Sequence, residues 1–319
     1  MNIIIKKIIK ETFSFFVFYS GILSIYRFLR KKKITILNYH DIKGEDFERH
    51  VKYLIRHFDI IPLGECVDCL NEGKEKSNSL VITFDDGYKL FYKEIFPILK
   101  KYSIPATVFI ATDYVGSSKL FWFDLLKLYF EEKGVEAFKK KLENIRGDFD
   151  SVVSSLNQLG EDEKRRKIVE IIEGYEIDHE NNNKAANYRI LNWKEIKEMA
   201  GGLICFGAHT MSHPILTKIS LDRAREEIFG SKDILERQLE VEIKFFAYPN
   251  GDVTDFDDNI IKIVKKAGFS SALTTIDGNC KIGDDLFILK RKVIDGKFSI
   301  PCLAAKIAGL WVSLTRKGI

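Results

Sequence analysis

Cysteine is scarce and scattered. Five residues, at 66, 69, 205, 280 and 302, are spread over 319 positions. So odd and sparse a set excludes the dense disulfide framework of a small secreted domain. Cys66 and Cys69 form a lone CxxC with no second pair and no nearby histidine. ECVDCL therefore reads as a helix tucking small apolar side chains inward, not as a zinc or redox site. Long hydrophobic runs are also missing. The apolar stretch Thr12 to Tyr26 is about fifteen residues, short of the ~18 or more that a spanning helix needs. No small-x-small site follows it to mark a cleaved signal peptide. Charge is mild, with a formal net of +4 and a pI of about 8.6. No long basic patch interleaves with aromatics, which argues against nucleic acid as a partner. Internal repeats and low-complexity linkers are absent from the sequence.

The basic excess gathers at the ends: Lys6, Lys7 and Lys10, then Arg30 to Lys33, and Arg316 with Lys317. Ser20, Ser24, Arg27 and Lys31 recur at helical spacing, with Phe15, Phe16, Ile22, Leu23 and Leu29 largely off that stripe. Near the other end, Lys306, Ser313 and Lys317 stand against Leu303, Ile307, Leu310, Trp311 and Leu314. Two basic amphipathic ends suit a protein lying on a bilayer surface. Helices that cap the domain or pack together are the alternative. The chain accordingly divides into an amphipathic segment (1–33) expected to associate with a membrane, a central domain (34–301) and an amphipathic C-terminal helix (302–319). The expected location is membrane-associated or cytoplasmic. If the first run inserts, Arg30 to Lys33 favour a cytoplasmic central domain.

Apolar residues make up 45% of the chain, enough for a sizeable core. From Lys33 onward, apolar runs rich in β-branched residues end in polar ones: ITILNYH (34–40), LVITFDDG (80–87), ATVFIATD (106–113), LICFGAHT (203–210), IKFFAYPN (243–250), FSSALTT (269–275) and FILKRKVI (287–294). Such runs fit buried parallel strands. Helical patterns alternate with them at Lys89 to Tyr102, Asn192 to Ala200, Leu221 to Leu239 and Asp257 to Ala267. Seven or so strand–helix units predict an α/β fold closed into a barrel. The charged, helical stretch from about 115 to 190 reads as an insertion. In parallel barrels the strand C-termini carry the chemistry, and here His40, Asp85, Asp86, His209, His213 and Asn250 fall at such ends.

Two of these segments carry chemistry by residue type alone. In TFDDG, Gly87 permits a sharp turn that lets Asp85 and Asp86 reach one cavity. Two acids so close divide their roles: one can bind a metal while the other accepts a proton from water. In AHTMSHP, His209 and His213 are four apart. Two histidines and one aspartate make an open hydrolytic metal site with positions left for water and substrate. Ser212 is placed to orient that loop, and Thr210 is a weaker candidate.

TFDDG, HTMSHP and FAYPNG, in this order on alternating strands and helices, resemble the polysaccharide deacetylase (chitooligosaccharide deacetylase homology) family over about Ile34 to Val293, in the subset with FAYP-type third motifs. The resemblance implies a distorted (β/α)7 barrel and removal of acetyl groups from N-acetylated sugars with a divalent metal, most often zinc. It makes Asp85 the catalytic base and Asp86, His209 and His213 the metal ligands. It places an oxyanion-binding backbone N–H at Asn250, one past Pro249. Two family features are missing: Ala247 stands where an arginine usually orients the base, and FILKRKV lacks the histidine that usually protonates the leaving amine. His40 and Arg291, both at strand ends, are the candidate replacements. Tyr88 and Tyr248 are candidates for stacking on sugar rings, Phe121 and Trp122 for edging a substrate groove, and Trp193 for starting a helix. The expected substrate is an N-acetylated glycan. An O-acetyl esterase and a catalytically weak glycan-binding module are the alternatives.

Overall fold

The computed structural model describes residues 3–23, 33–141, 149–175 and 185–310. Seven parallel strands close a barrel: β1 (Thr35–Tyr39), β3 (Ser79–Phe84), β4 (Ala106–Ile110), β5 (Ile204–Ala208), β6 (Phe245–Ala247), β7 (Ser271–Asp277) and β8 (Leu289–Val293). The ring closes where β1 pairs with both β8 and β3. A strand the sequence does not suggest, β2 (Asp59–Ile60), pairs with the start of β3, while β4 pairs only with its end. This offset is the distortion of the barrel.

Strand alternation sorts the core into two layers. Ile36, Val81, Phe109, Phe245, Ala247, Leu273 and Leu289 cluster together. Leu37, Tyr39, Leu80, Ile82, Phe84, Val108, Phe206 and Phe246 belong instead to the layer beneath the helices. The first set lines the barrel. Gly207 sits among them because any Cβ there would lie 2.5 Å from the Phe109 ring. Asn38, Thr83, Asp85 and Arg291 share the inward parity and gather toward the barrel's C-terminal edge.

The predicted helices form close to their expected bounds. Trp193–Met199 starts at Trp193 under a capping box, in which Asn192 accepts from the Glu195 N–H and Glu195 accepts from that of Asn192. Leu63–Glu72 contains the CxxC, with Cys66 buried and Cys69 half-buried, both free thiols. The insertion folds into helices Trp122–Lys141, Phe149–Asn157 and Glu161–Ile171 around a small core of Leu126, Tyr129, Val152, Leu156, Ile168 and Ile171.

The described parts of the two chain ends pack together, as one of the two sequence readings expects. The first helix runs Ile3–Tyr19 and packs along Ile300–Ala308. It buries Ser14 and Val17 while exposing Phe15 and Phe16. Ser20 lies beyond the helix end. Ser24, Arg27, Leu29 and Arg30 to Lys32, and residues 311–319 with Trp311, Leu314, Arg316 and Lys317, lie outside the described residues. No described helix is long and apolar enough to cross a membrane.

Candidate metal centre

The β3 strand ends at Phe84, and the chain turns sharply through Asp86 (φ 73°) and Gly87 (φ 76°). The turn swings Asp86 beside Asp85 and not to the opposite side of the wall. A side chain at Gly87 would strike the Ile110 side chain at 2.6 Å and strain the left-handed backbone as well. The second loop leaves β5 with Thr210 (φ 64°) and His213 (φ 59°) also left-handed. Thr210 Oγ1 accepts the His213 N–H at 3.0 Å, folding His213 back toward His209. Their rings sit 4.8 Å apart.

Asp86, His209 and His213 converge. Asp86 Oδ1 lies 3.6 Å from His209 Nε2 and 3.4 Å from His213 Nε2. Tetrahedral ligands on bonds of about 2.0–2.1 Å stand roughly 3.3–3.5 Å apart, so these spacings suit donors sharing one ion. His209 Nδ1 donates to the Ala247 carbonyl at 2.7 Å. A carbonyl can only accept, so this bond leaves the Nε2 lone pair facing Asp86. Burial pushes the His209 pKa down to about 4 and that of His213 well below the ordinary value, keeping both rings neutral as ligands require. Burial, then Asp85 and Asp124, push Asp86 up. Its Oδ1 is buried without a hydrogen-bond partner. An orphaned carboxylate oxygen aimed at two imidazole lone pairs is costly unless a cation joins them, so the donor set fits a divalent metal.

Asp85 is held apart from this triad. Arg291 Nη1 and Nη2 donate to its two oxygens at 2.8 Å each, and Asn38 Nδ2 adds a third bond at 2.8 Å. Arg291 is anchored in turn by Nε donation to the Thr274 carbonyl at 2.8 Å. Burial alone would raise the Asp85 pKa. The guanidinium, supported by the nearby histidines, overcomes it and holds the carboxyl well below the usual range. His40 Nε2 stands 3.7 Å from Asp85 Oδ2 with the side chain 38% exposed at the barrel mouth. Desolvation lowers its pKa, Asp85 opposes and Arg291 adds.

Other predicted site residues fall less centrally. Ser212 braces the loop: its hydroxyl donates to Glu227, whose carboxylate also accepts the Met211 and Ser212 N–H groups at 2.9 and 2.8 Å. Asn250 is exposed with φ 59°, and its side-chain amide is tied to Asp255 at 2.6 Å. Pro249 is buried behind it. Tyr248 corrects the expectation of substrate contact. Ala247 faces inward, so Tyr248 faces the helix layer; it is fully buried, stacks on Phe256 at 4.4 Å and donates to the Phe287 carbonyl. Phe121 likewise edges no open groove. It is buried edge-on against His213 at 5.1 Å, while Trp122 packs within the insertion under Lys164. Tyr88 is buried too, donating to Asp124 at 2.7 Å.

Sequence reasoning missed Asn38, Glu227 and Asp124. The last makes the insertion part of the site. The insertion helps hold both ligand loops: just past its end the Leu191 N–H donates to the Gly87 carbonyl at 2.9 Å, and within it Glu161 accepts from the Ile215 N–H at 3.3 Å. Burial raises the Asp124 pKa from 3.8 to about 7, against the Tyr88 hydrogen bond and Lys127. Between these values the folded protein keeps a proton that the unfolded chain releases. Asp124 thus contributes stability below about pH 4 that is lost as pH rises toward 7. Asp124→Asn removes this dependence. The stability of the variant relative to wild type is expected to improve between pH 4.5 and 8 by on the order of a few kcal/mol at most. Urea midpoints of the metal-free proteins at both pH values measure it; a difference that does not move with pH would refute it.

The chain is similar to known proteins in sequence and in fold. The polysaccharide deacetylase family model matches residues 72–272, more than half of the chain. A putative polysaccharide deacetylase, YxkH of Bacillus subtilis, is 22% identical over 269 residues, 81% of this chain and 70% of its own length. The poly-beta-1,6-N-acetyl-D-glucosamine N-deacetylase of Staphylococcus aureus is 31% identical over 172 residues, 54% of this chain and about half (55%) of its own length. Among solved structures, the Streptococcus pyogenes deacetylase PplD superposes with a TM-score of 0.59 at 21% identity, covering 86% of this chain and 98% of that one. IcaB from Ammonifex degensii gives 0.59 at 20%, covering 87% and 97%. These two establish the likeness of fold, and the family match establishes descent: the chain belongs to the polysaccharide deacetylase family.

Proposed function

We propose that this family member is a metal-dependent N-deacetylase that hydrolyses the acetamide C–N bond of an N-acetylated glycan, with zinc as the metal. The observation that carries the reading is the orphaned Asp86 Oδ1 facing two neutral imidazoles, beside a second carboxylate that is fully ionised and paired elsewhere. The divalent ion held by Asp86, His209 and His213 supplies positive charge that polarises the acetyl carbonyl and lowers the pKa of water.

The remaining work falls to the chain's own groups. Asp85 accepts the proton of the attacking water. It is too acidic to keep that proton, and His40, 3.7 Å from its Oδ2, is placed to deliver one to the departing amine. Arg291 and Asn38 fix the orientation of Asp85, replacing the arginine missing at Ala247. The Asn250 backbone N–H, for which no acceptor occurs among the described residues, is the proposed oxyanion donor. Names of the relatives favour a poly-N-acetylglucosamine as the glycan.

Acetate release from β-1,6- and β-1,4-linked N-acetylglucosamine oligomers, before and after chelation, tests this reading. Chelation and Asp86→Ala are each expected to lower release by about 100-fold or more, with zinc restoring only the former. Full turnover by protein shown to be metal-free would exclude it. Faster release from an O-acetylated glycan would move the assignment to an ester.

A further inference from the structure

The first helix, Ile3–Tyr19, is clamped to the barrel along one side only. Ser14 and Val17 are buried, Phe18 meets the Tyr53 ring at 6.1 Å, and Glu11 accepts from the Ser299 hydroxyl at 2.8 Å. Its other side presents Ile9, Phe13, Phe15, Phe16 and Tyr19, exposed by 46 to 69%. At 100° per residue these five span an arc of about 160°, with Thr12 the only polar residue within it. Five of the twelve large exposed apolar side chains among the described residues thus sit on one helix face, while the other seven are distributed over the rest of the chain. A soluble surface tolerates single exposed apolar residues, but a contiguous aromatic face marks a docking site.

Charge identifies the occupant. Residues 1–33 carry eight Lys or Arg and one acid, Glu11; the rest of the chain carries 42 basic and 45 acidic residues. The protein's positive charge is therefore concentrated in the segment that bears the apolar face. A second copy of this chain would bring an equally basic segment against it, which like-charge repulsion opposes. With Lys6, Lys7, Lys10 and Glu11 in its 17 residues, the helix is also too short and too charged to span a bilayer. Aromatic residues beside lysines suit the boundary between headgroups and acyl chains.

We infer that the face formed by Ile9, Phe13, Phe15, Phe16 and Tyr19 docks the protein peripherally on an anionic lipid surface. The site mouth comes with it. Ser299, which meets Glu11, follows β8 on the same edge of the barrel as Asp85 and His40. The docking holds whatever the glycan and whether or not the deacetylase reading stands, because it is read by lipid binding alone.

Flotation of the full chain with vesicles tests it. One set is phosphatidylcholine alone and the other contains about 30% phosphatidylglycerol. The wild type is expected to float with the anionic vesicles about tenfold better than with the neutral ones, and less as salt rises. A Phe13→Ser/Phe16→Ser/Tyr19→Ser variant is expected to lose about tenfold of that binding while keeping its melting temperature, since all three side chains are exposed. No flotation, equal flotation of variant and wild type, or a wild-type dimer that the variant dissolves in light scattering would each overturn the inference.

Discussion

Arg291→Met is expected to cost about 3–5 kcal/mol of stability, the usual penalty for stripping one partner from a buried ion pair. Both groups are essentially without solvent, Arg291 at 0% and Asp85 at 2% exposure. Removing the guanidinium leaves the Asp85 carboxylate with only Asn38 as a close donor and His40 at 3.7 Å. It also strips the Thr274 carbonyl of a donor. The variant should shift its urea midpoint accordingly, and Asp85 should take up a proton at a pH where wild type holds none. Arg291→Lys should rescue little. A single ammonium cannot bond both Asp85 oxygens in the fork geometry and reach Thr274 at the same time.

A double variant separates stability from catalysis here. In Arg291→Met/Asp85→Asn the uncompensated charge is gone, so the stability loss should fall well below the sum of the two single losses. Acetate release should stay abolished, because the base is gone as well. An Arg291→Met protein within about 0.5 kcal/mol of wild type would mean that the bidentate pair contributes nothing measurable and that Asp85 is oriented by Asn38 alone.

How much of this was legible beforehand follows from how locally each residue's role is encoded. Asp85, Asp86, His209 and His213 stand in two short segments at strand ends, where barrel topology alone assigns them to the mouth. Arg291 was readable for a similar reason: it ends the last strand, and the arginine missing at Ala247 left Asp85 in need of a partner, although the KRK cluster alone would equally suit an exposed side chain. Glu227 gave no such signal. It lies in RAREEIFGSK, a charged helix segment whose acids look alike until the fold shows which one turns inward to meet the Met211 and Ser212 N–H groups. Asn38 resembled the polar tail of a strand, and Asp124 one acid in an aromatic insertion. Tyr248 was misassigned for a reason the sequence contains: alternation from inward Ala247 sends Tyr248 outward. For the first helix the sequence left two readings open, a bilayer surface or packing against the other end, because its apolar residues occur on both sides; the helix packs on Ile300–Ala308 with one side and exposes Phe15 and Phe16 on the other.

His40→Ala is expected to lower kcat by about 10²–10⁴, the range for losing a positioned general acid, with metal content unchanged. Three facts place the imidazole for this role: the end of β1 at the barrel mouth, a 38% exposed side chain that a substrate can reach, and 3.7 Å to the carboxylate that accepts water's proton. The metal donors lie elsewhere, on Asp86, His209 and His213, so removing His40 should leave metal binding intact. The pH profile distinguishes catalysis from bracing. A general acid must enter protonated, and desolvation lowers the His40 pKa below its ordinary 6.5 in the free protein. Activity controlled by this group should therefore decline as pH rises through that lowered value, and the decline should vanish in the variant, leaving a slow rate flat across the same interval. His40→Gln, which can bridge to Asp85 but carries no transferable proton, should behave like alanine if the proton matters and like wild type if the ring only braces the loop. Elemental analysis and the pH dependence of acetate release for the three proteins measure these outcomes, and a wild-type rate in His40→Ala with metal bound would remove His40 from the mechanism.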